Sequence, residues 1–539
     1  MSASRDFGIS SSALRRPIHA LELALLIVVA SHLVFLPWAV GGMRPWAQIP
    51  SLIISAISLV LALWPRTVPT AALENPTRRD AETPKSDQSS VVRPPSSASP
   101  IHGSTDLPPS VPPSFARLLP YPKLLRFPIF WLGLILFAYI TIQALNPAWI
   151  FKTDGKTWHM QAVPYITWLP HGVAGMPIFA PVSHPHGGEW YMLILYASAW
   201  MTVCACWVGF TRRRPLQWLC LTLVTSTVGL AILGLAERFL HIQYAKLFGI
   251  DVGENYSSFV YKNHAGAYFV LTIGVTCATG LWYYFRGVRR MEKSTPGGIF
   301  AFAAVLIAVS LVVSYARGAT LAMIVYLALI GCGFVIQQLF FAPQVTRKPA
   351  IVVALLLVFG FFLKTGMEAV NTGEAWDKVK AGFEDGGDYS FRSRMLLTKA
   401  TAEMVSAHWL VGNGSGSFTF VFPKYQQKYP YLQKWPGARG DAPIFFSHAH
   451  NDWVEFPSDV GLIGMLVILA GLGWYALTLV RNYFWENPFS LALVLGLLAV
   501  LFYSYWDFPF QCPAILVTWC TLWAVVTKWT QLEEQRQRS

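Results

Sequence analysis

Long apolar runs recur along this chain and limit what it can fold into more than any other feature. The runs are about 17–25 residues long, the length that crosses roughly 30 Å of hydrocarbon as an α-helix. Because lipid offers the backbone no water, a spanning segment must satisfy its own amides and carbonyls, which favours helices. The composition agrees, since 54% of the 539 residues are hydrophobic and only 13% are charged. We therefore predict an all-α polytopic membrane protein.

Hydropathy predicts about twelve transmembrane helices. Their approximate ranges are 19–40, 49–64, 127–145, 190–210, 216–236, 264–285, 298–316, 318–340, 349–364, 454–480, 488–506 and 511–528. The first run has no small-residue cleavage site, so we interpret it as a retained helix and not a signal peptide. With both termini in the cytoplasm, the basic loops all fall on the cytoplasmic side. Those loops account for the net charge of +13 without a nucleic acid partner.

The predicted helices divide the chain into six segments. A Pro/Ser-rich stretch between spans two and three has too little apolar surface to fold, and we predict a disordered cytoplasmic linker there. The largest loop lies between spans nine and ten and is expected in the periplasm. The segments are 1–64 (two helices), 65–126 (linker), 127–364 (spans three to nine), 365–453 (periplasmic loop), 454–528 (spans ten to twelve) and 529–539 (cytoplasmic tail).

Arg317 lies between spans seven and eight, in the sequence SYARGATLA. A guanidinium at bilayer depth costs about 2.5–3.5 kcal/mol on insertion scales, so it is expected to face a cavity or a partner. It either snorkels to the membrane interface or holds phosphate oxygens with its planar fork. Gly318 and Ala319 leave room for a ligand beside it, which favours the phosphate clamp.

Two further arginines open a predicted helix in the large loop. Ser390 can cap this helix. Arg392 and Arg394 lie in its first turn, where the helix dipole disfavours cations unless an anion compensates. Either a bound diphosphate or an acidic neighbour, Glu384 or Asp385, would supply that anion. The run GNGSGS that follows is interpreted as a turn, because it has no lysine and follows no strand.

A dense group of titratable side chains precedes span ten, in SHAHNDWVEF. His448, His450, Asp452 and Glu455 are residue types that bind metal ions. A His–carboxylate pair can instead act as a general base on an acceptor hydroxyl, and Asn451 or Asp452 can simply cap the span. The residues alone leave these interpretations open. Three residues of an earlier loop could join a metal site: His184, His186 and Glu189.

The segment FVFPKYQQKYPYLQKW (420–435) alternates aromatic and basic residues. Such a segment either lies in the lipid headgroup layer or stacks its rings on sugars. We favour the interfacial anchor.

The spacing around His450 resembles the O-antigen ligase family, whose pattern is His-[Asn/Ser/Gln]-x9-Gly-x-x-Gly. Here the pattern is formed by His450-Asn451, nine further residues, and then Gly461 and Gly464. We expect the two glycines to be helix-packing positions. Pro457 departs from the leucine-rich start that relatives carry.

Other parts of the chain resemble the same family. The sequence around Arg317 is similar to its arginine turn, and YKNHAGAYFVL (261–271) is similar to its Asn-His span start. The helix that begins near Arg392 resembles a helix of its large periplasmic loop. The resemblance covers about residues 190–528.

The resemblance implies a GT-C-like, inverting glycosyltransferase of the bacterial inner membrane that needs neither a cofactor nor a metal ion. The implied donor is a glycan on undecaprenyl diphosphate at the periplasmic face, and the implied acceptor is lipid A–core. A polymerase of the same family would instead extend another lipid-linked glycan. A non-catalytic transporter of lipid-linked glycans is the alternative of another class, but it does not predict His-Asn at this spacing.

Chemistry and resemblance together give each candidate residue a role. Because diphosphate is already a good leaving group, the enzyme mainly has to position two lipids and stabilise negative charge. Arg317 is expected to bind the diphosphate, with Arg392 or Arg394 as a second clamp. His450 is expected to orient or deprotonate the attacking hydroxyl, with Glu455 as its partner. The remaining substrate-binding candidates are His448, Asn451, Asn263 and His264.

Overall fold

The computed structural model describes most of the chain. The described residues are 20–69, 115–154, 157–178, 187–242, 244–249, 255–292, 294–340, 360, 364, 389–433 and 444–538. Most of predicted span nine, the first part of the large loop and most of the linker lie outside these residues. Four candidate residues also lie outside them: His184, His186, Glu384 and Asp385.

Helices make up most of the described chain and lie where the apolar runs predict them. The helices are α1 (Ala20–Trp38), α2 (Pro45–Leu63), α3 (Tyr121–Leu125), α4 (Pro128–Leu145), α5 (Glu189–Gly209), α6 (Arg213–Leu240), α7 (Lys262–Arg289), α8 (Gly297–Val313), α9 (Arg317–Phe340), α10 (Tyr389–Ala407), α11 (Phe418–Gln426), α12 (Asp452–Arg481), α13 (Pro488–Tyr503) and α14 (Pro513–Arg538). Within the described residues, eight helices are long and apolar enough to cross a membrane, and α8 and α13 are shorter apolar helices. A polytopic helical membrane protein is therefore confirmed, whereas the number twelve stays a prediction.

The two ends of the predicted linker are ordered, which corrects its boundaries. β1 (Arg66–Pro69) pairs antiparallel with β2 (Phe115–Leu118). The pairing satisfies backbone groups that the apolar-surface argument for disorder did not consider. Residues 70–114 lie outside the described chain, so the prediction of disorder stays untested there.

α7 is the most enclosed of the described spans, with 78% of its apolar window buried. It crosses α13 at two glycines, and a Cβ added to Gly274 would lie 3.0 Å from the Cα of Gly496. The hydroxyl of Tyr326, from α9, donates to the Ala492 carbonyl of α13 at 3.2 Å. This close packing fixes the start of α7 at the same end of the bundle as the end of α13.

A second hydrophobic core covers that end, which we call the loop-bearing end and expect to face the periplasm. It contains a three-stranded sheet, in which β3 (Pro147–Thr153) lies between antiparallel β4 (Trp158–Ala162) and parallel β5 (Gly172–Ala174). α10 and α11 pack on the sheet. The buried core residues are Val173, Leu397, Ala400, Met404, Phe418, Val421, Phe422, Tyr425, Leu432 and Ala449. The all-α prediction missed both small sheets.

The described part of the aromatic segment, 420–433, contributes side chains to this second core. Phe422 is fully buried and Phe420 is nearly so. The interpretation as an interfacial anchor is therefore wrong for these rings, because α11 turns them inwards against α10 and the sheet.

α12 is broken near its start by Gly461, which has φ 61° and ψ −170°. At the break, the Leu462 amide donates to the Trp409 carbonyl at 2.8 Å, so the chain runs against the turn that follows α10. The prediction that Gly461 and Gly464 are helix-packing positions is wrong. Gly461 provides a backbone conformation open essentially to glycine alone, and a Cβ on Gly464 would meet Val460 of the same helix.

We expect Gly461→Ala to destabilise the protein by about 2 kcal/mol or more, because alanine does not tolerate this φ and ψ. Thermal unfolding of the detergent-solubilised protein measures the loss. Gly473→Ala is the matched control, because it lies in the same helix with open space around it. Equal melting temperatures for the two variants would contradict the proposed role of the break.

Candidate functional site

Asp507 lies at the centre of the loop-bearing end, in the turn between α13 and α14. Its buried carboxylate accepts hydrogen bonds from Asn263 Nδ2 at 2.6 Å and from the Tyr503 hydroxyl at 3.0 Å. Arg394 Nη2 lies 3.7 Å from Oδ2, and His450 Nδ1 lies 3.7 Å from Oδ1. One buried carboxylate therefore connects α7, α10, α13 and the segment before α12. We call these five residues the Asp507 cluster.

Backbone hydrogen bonds hold the turn that carries Asp507 against the start of α12. The Asp452 amide donates to the carbonyls of Ser504 and Asp507 at 2.9 and 3.3 Å. The Asp452 carboxylate in turn accepts from the Phe510 amide at 3.0 Å. The turn and the histidine segment are thus fixed relative to each other.

The neighbouring side chains keep Asp507 ionised. Burial by itself would raise the pKa of this carboxyl, but His450 and Arg394 hold the pKa well below its usual range. Arg394 shows the reciprocal effect, because burial lowers its pKa and Asp507 more than reverses that change. Since an ordinary Asp titrates near pH 4, Asp507 is an anion at neutral pH.

The ring of Phe508 brings three histidines together. His448 stacks on it with 4.4 Å between ring centroids, while His450 and His264 meet it edge-on at 4.8 and 4.9 Å. Tyr261 stacks on it at 5.5 Å. Packing on Phe508 therefore adds to the polar contacts in fixing the positions of the three histidines.

His450 has a left-handed backbone, with φ 51°. This conformation costs a non-glycine residue of the order of 1–3 kcal/mol and is found mostly at functional sites. With Nδ1 towards Asp507, Nε2 is the ring nitrogen that can take a proton. The side chain is 24% exposed, so molecules outside the bundle can reach it.

Glu455 is not the partner of His450, which corrects the prediction from the sequence. Its carboxylate lies 2.8 Å from His448 Nδ1 and accepts from the Ala449 amide at 2.7 Å. The left-handed turn at His450 directs that ring away from α12 and towards Asp507. Each of the two histidines thus has its own carboxylate.

Two other candidate residues have structural contacts. Asn451 caps α12, since its side-chain oxygen accepts from the Trp453 amide at 3.0 Å. Arg392 lies over the ring of Tyr431 at 4.5 Å. Residues two positions apart on a helix point in different directions. Arg394 therefore belongs to the Asp507 cluster, and Arg392 does not.

Arg317 begins α9 at the loop-bearing end. A Cβ added to the next residue, Gly318, would lie 2.9 Å from the ring of Tyr503, which donates to Asp507. Arg317 therefore borders the Asp507 cluster, and its residue is exposed. The ring of Tyr503 occupies part of the space that Gly318 leaves beside Arg317.

Asp507 and Phe508 were absent from the sequence prediction, although a signal for Asp507 exists. It is the single acidic residue between Glu486 and Glu533, in a stretch that is mostly apolar. The argument applied to Arg317 applies equally here, because a charge at the edge of two membrane spans is expensive unless it is paired.

Within the described part of the chain, no group of three or more His, Cys, Asp or Glu side chains is arranged to hold a metal ion. Glu189, one of the candidate ligands, instead accepts a hydrogen bond from the Val173 amide at 3.0 Å. Its two proposed co-ligands lie outside the described residues.

Comparison with known proteins gives one family match. A family model described as O-Antigen ligase matches residues 302–469. The matched range includes Arg317, Arg394 and His450, whereas Asn263 and Asp507 lie beyond its two ends. No curated protein matches the chain.

Proposed function

Because residues 302–469 belong to the O-antigen ligase family, we propose that this membrane protein transfers a glycan from undecaprenyl diphosphate to a sugar hydroxyl of lipid A–core. The family supports a glycosyl-transfer role in lipopolysaccharide synthesis, and the apolar helices support a multi-pass protein of the inner membrane. The observation that carries the finer proposal is the Asp507 cluster, which places an imidazole and a guanidinium on one buried carboxylate.

His450 is proposed as the base. The acceptor oxygen attacks the anomeric carbon from the side opposite the diphosphate, and its proton passes to Nε2 of His450. The bond from the anomeric carbon to the phosphate oxygen breaks, and its electron pair leaves with undecaprenyl diphosphate. This attack inverts the anomeric carbon. Asp507 holds the ring in the required orientation and stabilises the imidazolium that forms, as a buried carboxylate does beside a catalytic histidine.

Arg394 and Arg317 are proposed to bind the diphosphate. The negative charge of the leaving group grows as the bond breaks, so fixed cations lower the barrier. Arg394 is restrained by Asp507 and by its hydrogen bond to the Trp506 carbonyl at 2.9 Å. A guanidinium restrained in this way needs little reorganisation when the charge develops. Arg317 approaches from α9, on the neighbouring side of Tyr503.

Asn263 and the polar residues near Phe508 are proposed as positioning residues. Asn263 fixes the second oxygen of Asp507, and His264 and His448 pack on Phe508. Glu455 orients His448. We further propose that no metal ion takes part, so inhibition of transfer by a chelator would contradict this mechanism. The active site would then face the periplasm, where flipped lipid-linked glycans are available.

We expect His450→Ala to lower the transfer rate by about 100-fold or more, because the proton acceptor is lost. Asp507→Asn should cause a comparable loss, and the double variant should be no slower than the slower single variant, because both residues act as one unit. The measurement is transfer by purified protein with lipid-linked donor and lipid A–core acceptor.

His159→Ala is the control for these variants, since His159 is an exposed histidine of β4 at the same end of the bundle. Losses that multiply in the double variant would show that Asp507 does not act through His450. Full activity in His450→Ala would contradict the role of His450 as the base, and an absence of transfer by the purified wild-type protein would favour a non-catalytic transporter of lipid-linked glycans.

Arg394→Lys should reduce transfer by about 10-fold or more, because lysine replaces a two-pronged donor with a single ammonium group. Arg392→Lys, two residues away on the same helix, is the matched comparison and should lose much less. The ratio of the two rates under identical donor concentrations is the readout. A larger loss of transfer for Arg392→Lys would show that Arg392, and not Arg394, is the second arginine that binds the diphosphate.

The products of a deletion strain separate ligation from polymerisation. A missing ligase leaves lipid A–core without long glycan while polymer accumulates on the lipid carrier, and this is the result we expect. Electrophoresis of lipopolysaccharide together with analysis of the carrier-linked fraction measures both pools. Lipid A that carries single repeats would identify the chain as a polymerase.

A further inference from the structure

Three cations lie together at the opposite end of the bundle, where α2 and α5 end and α1 and α4 begin. Arg66 belongs to β1, Lys123 to α3 and Lys528 to the last part of α14. The charges of Arg66 and Lys123 act on each other, and so do those of Lys123 and Lys528. We call these residues the opposite-end cluster.

Two members of the opposite-end cluster are buried. Arg66 is 8% exposed and Lys528 is 9% exposed. Nη2 of Arg66 is a buried donor without a hydrogen-bond partner in the described chain. Burying a charged donor without an acceptor costs several kcal/mol, and the described residues provide no acceptor for this one.

The nearest acidic residue does not balance these cations. Glu22, in the first turn of α1, influences Arg66 and Lys123 electrostatically. Its carboxylate, however, accepts from the Thr211 amide at 2.8 Å and from the Thr211 hydroxyl at 3.3 Å. The carboxylate that acts on Arg66 and Lys123 is therefore already engaged by Thr211. Consistently, partial desolvation of the ammonium group and the charge of Arg66 lower the pKa of Lys123 more than Glu22 raises it.

Packing holds the cluster in shape. The ammonium group of Lys528 lies 4.8 Å from the centre of the Trp207 ring, and that ring stacks on Phe127 at 4.5 Å. Lys123 is exposed, so the cluster opens to the surroundings on that side. Its position at the ends of four membrane helices is the depth at which lipid phosphates lie.

We propose that the opposite-end cluster binds a phosphate group, with Arg66 as the buried clamp and Lys123 at the entrance. Guanidinium and ammonium groups are the side-chain donors that bind phosphate oxygens in proteins. Either the headgroup of an anionic phospholipid or a free phosphate compound carries this chemistry. With the expected topology the cluster faces the cytoplasmic leaflet, whose anionic lipids are attracted to basic pockets between helices.

The test compares binding by wild-type protein, Lys123→Gln and Arg66→Gln, each as the full chain in neutral detergent. One arm titrates phosphatidylglycerol in mixed micelles against phosphatidylcholine, and a second arm titrates inorganic phosphate without lipid. Lys123 is exposed, so its variant should fold even if Arg66→Gln does not. Arg481→Gln is the matched control, because Arg481 is an exposed cation at the same end of the bundle.

We expect Lys123→Gln to weaken binding about fivefold relative to both wild type and Arg481→Gln, the contribution of one cation near a lipid phosphate. A difference seen with phosphatidylglycerol identifies the lipid headgroup as the ligand, and a difference seen only with inorganic phosphate identifies a soluble phosphate compound. The same affinity in all variants and both arms would overturn the proposal. The readout is the difference between variants, because arginines at the loop-bearing end also attract phosphate.

Discussion

The loop-bearing half of this protein depends on the burial of one ionised carboxylate. An isolated buried carboxylate is too expensive to keep, so Asp507 needs donors and cations in fixed positions. Asn263, Tyr503, Arg394 and His450 supply them from four different parts of the chain. The contacts that stabilise the buried charge also fix the position of His450, the proposed base, relative to Arg394, which is proposed to bind the diphosphate.

The residue range that matches the family model does not include all residues of the Asp507 cluster. Residues 302–469 match the O-antigen ligase model, yet Asn263 and Asp507 lie outside that range. The site is assembled only when α7 and α13, which cross at two glycines, bring their ends to the start of α12. The packing of α7 on α13 is therefore a condition for the proposed chemistry at the loop-bearing end.

The two ends of the bundle treat charge differently. At the loop-bearing end, Asp507 has Arg394 and His450 beside it, and the histidines pack on the aromatic ring of Phe508. At the opposite end, Arg66 and Lys528 are buried, and Nη2 of Arg66 has no hydrogen-bond partner in the described chain. A carboxylate paired with cations can orient groups for reaction, whereas a buried cation without an acceptor is suited to hold an external anion.

The sequence by itself determined the helical membrane class and most helix positions, and it indicated Arg317 and His450 as candidate site residues, because apolar length and motif spacing are local properties. It did not identify Asp507 as the partner of His450, nor distinguish Arg394 from Arg392. Those contacts join residues 57 and 113 positions apart along the chain, and their geometry depends on a left-handed residue at 450 and on the pitch of α10. The role of Gly461 was misjudged for the same reason. A glycine in an apolar run looks the same in the sequence whether it allows close helix packing or interrupts the helix. At Gly461 the contact with the turn that follows α10 distinguishes the two.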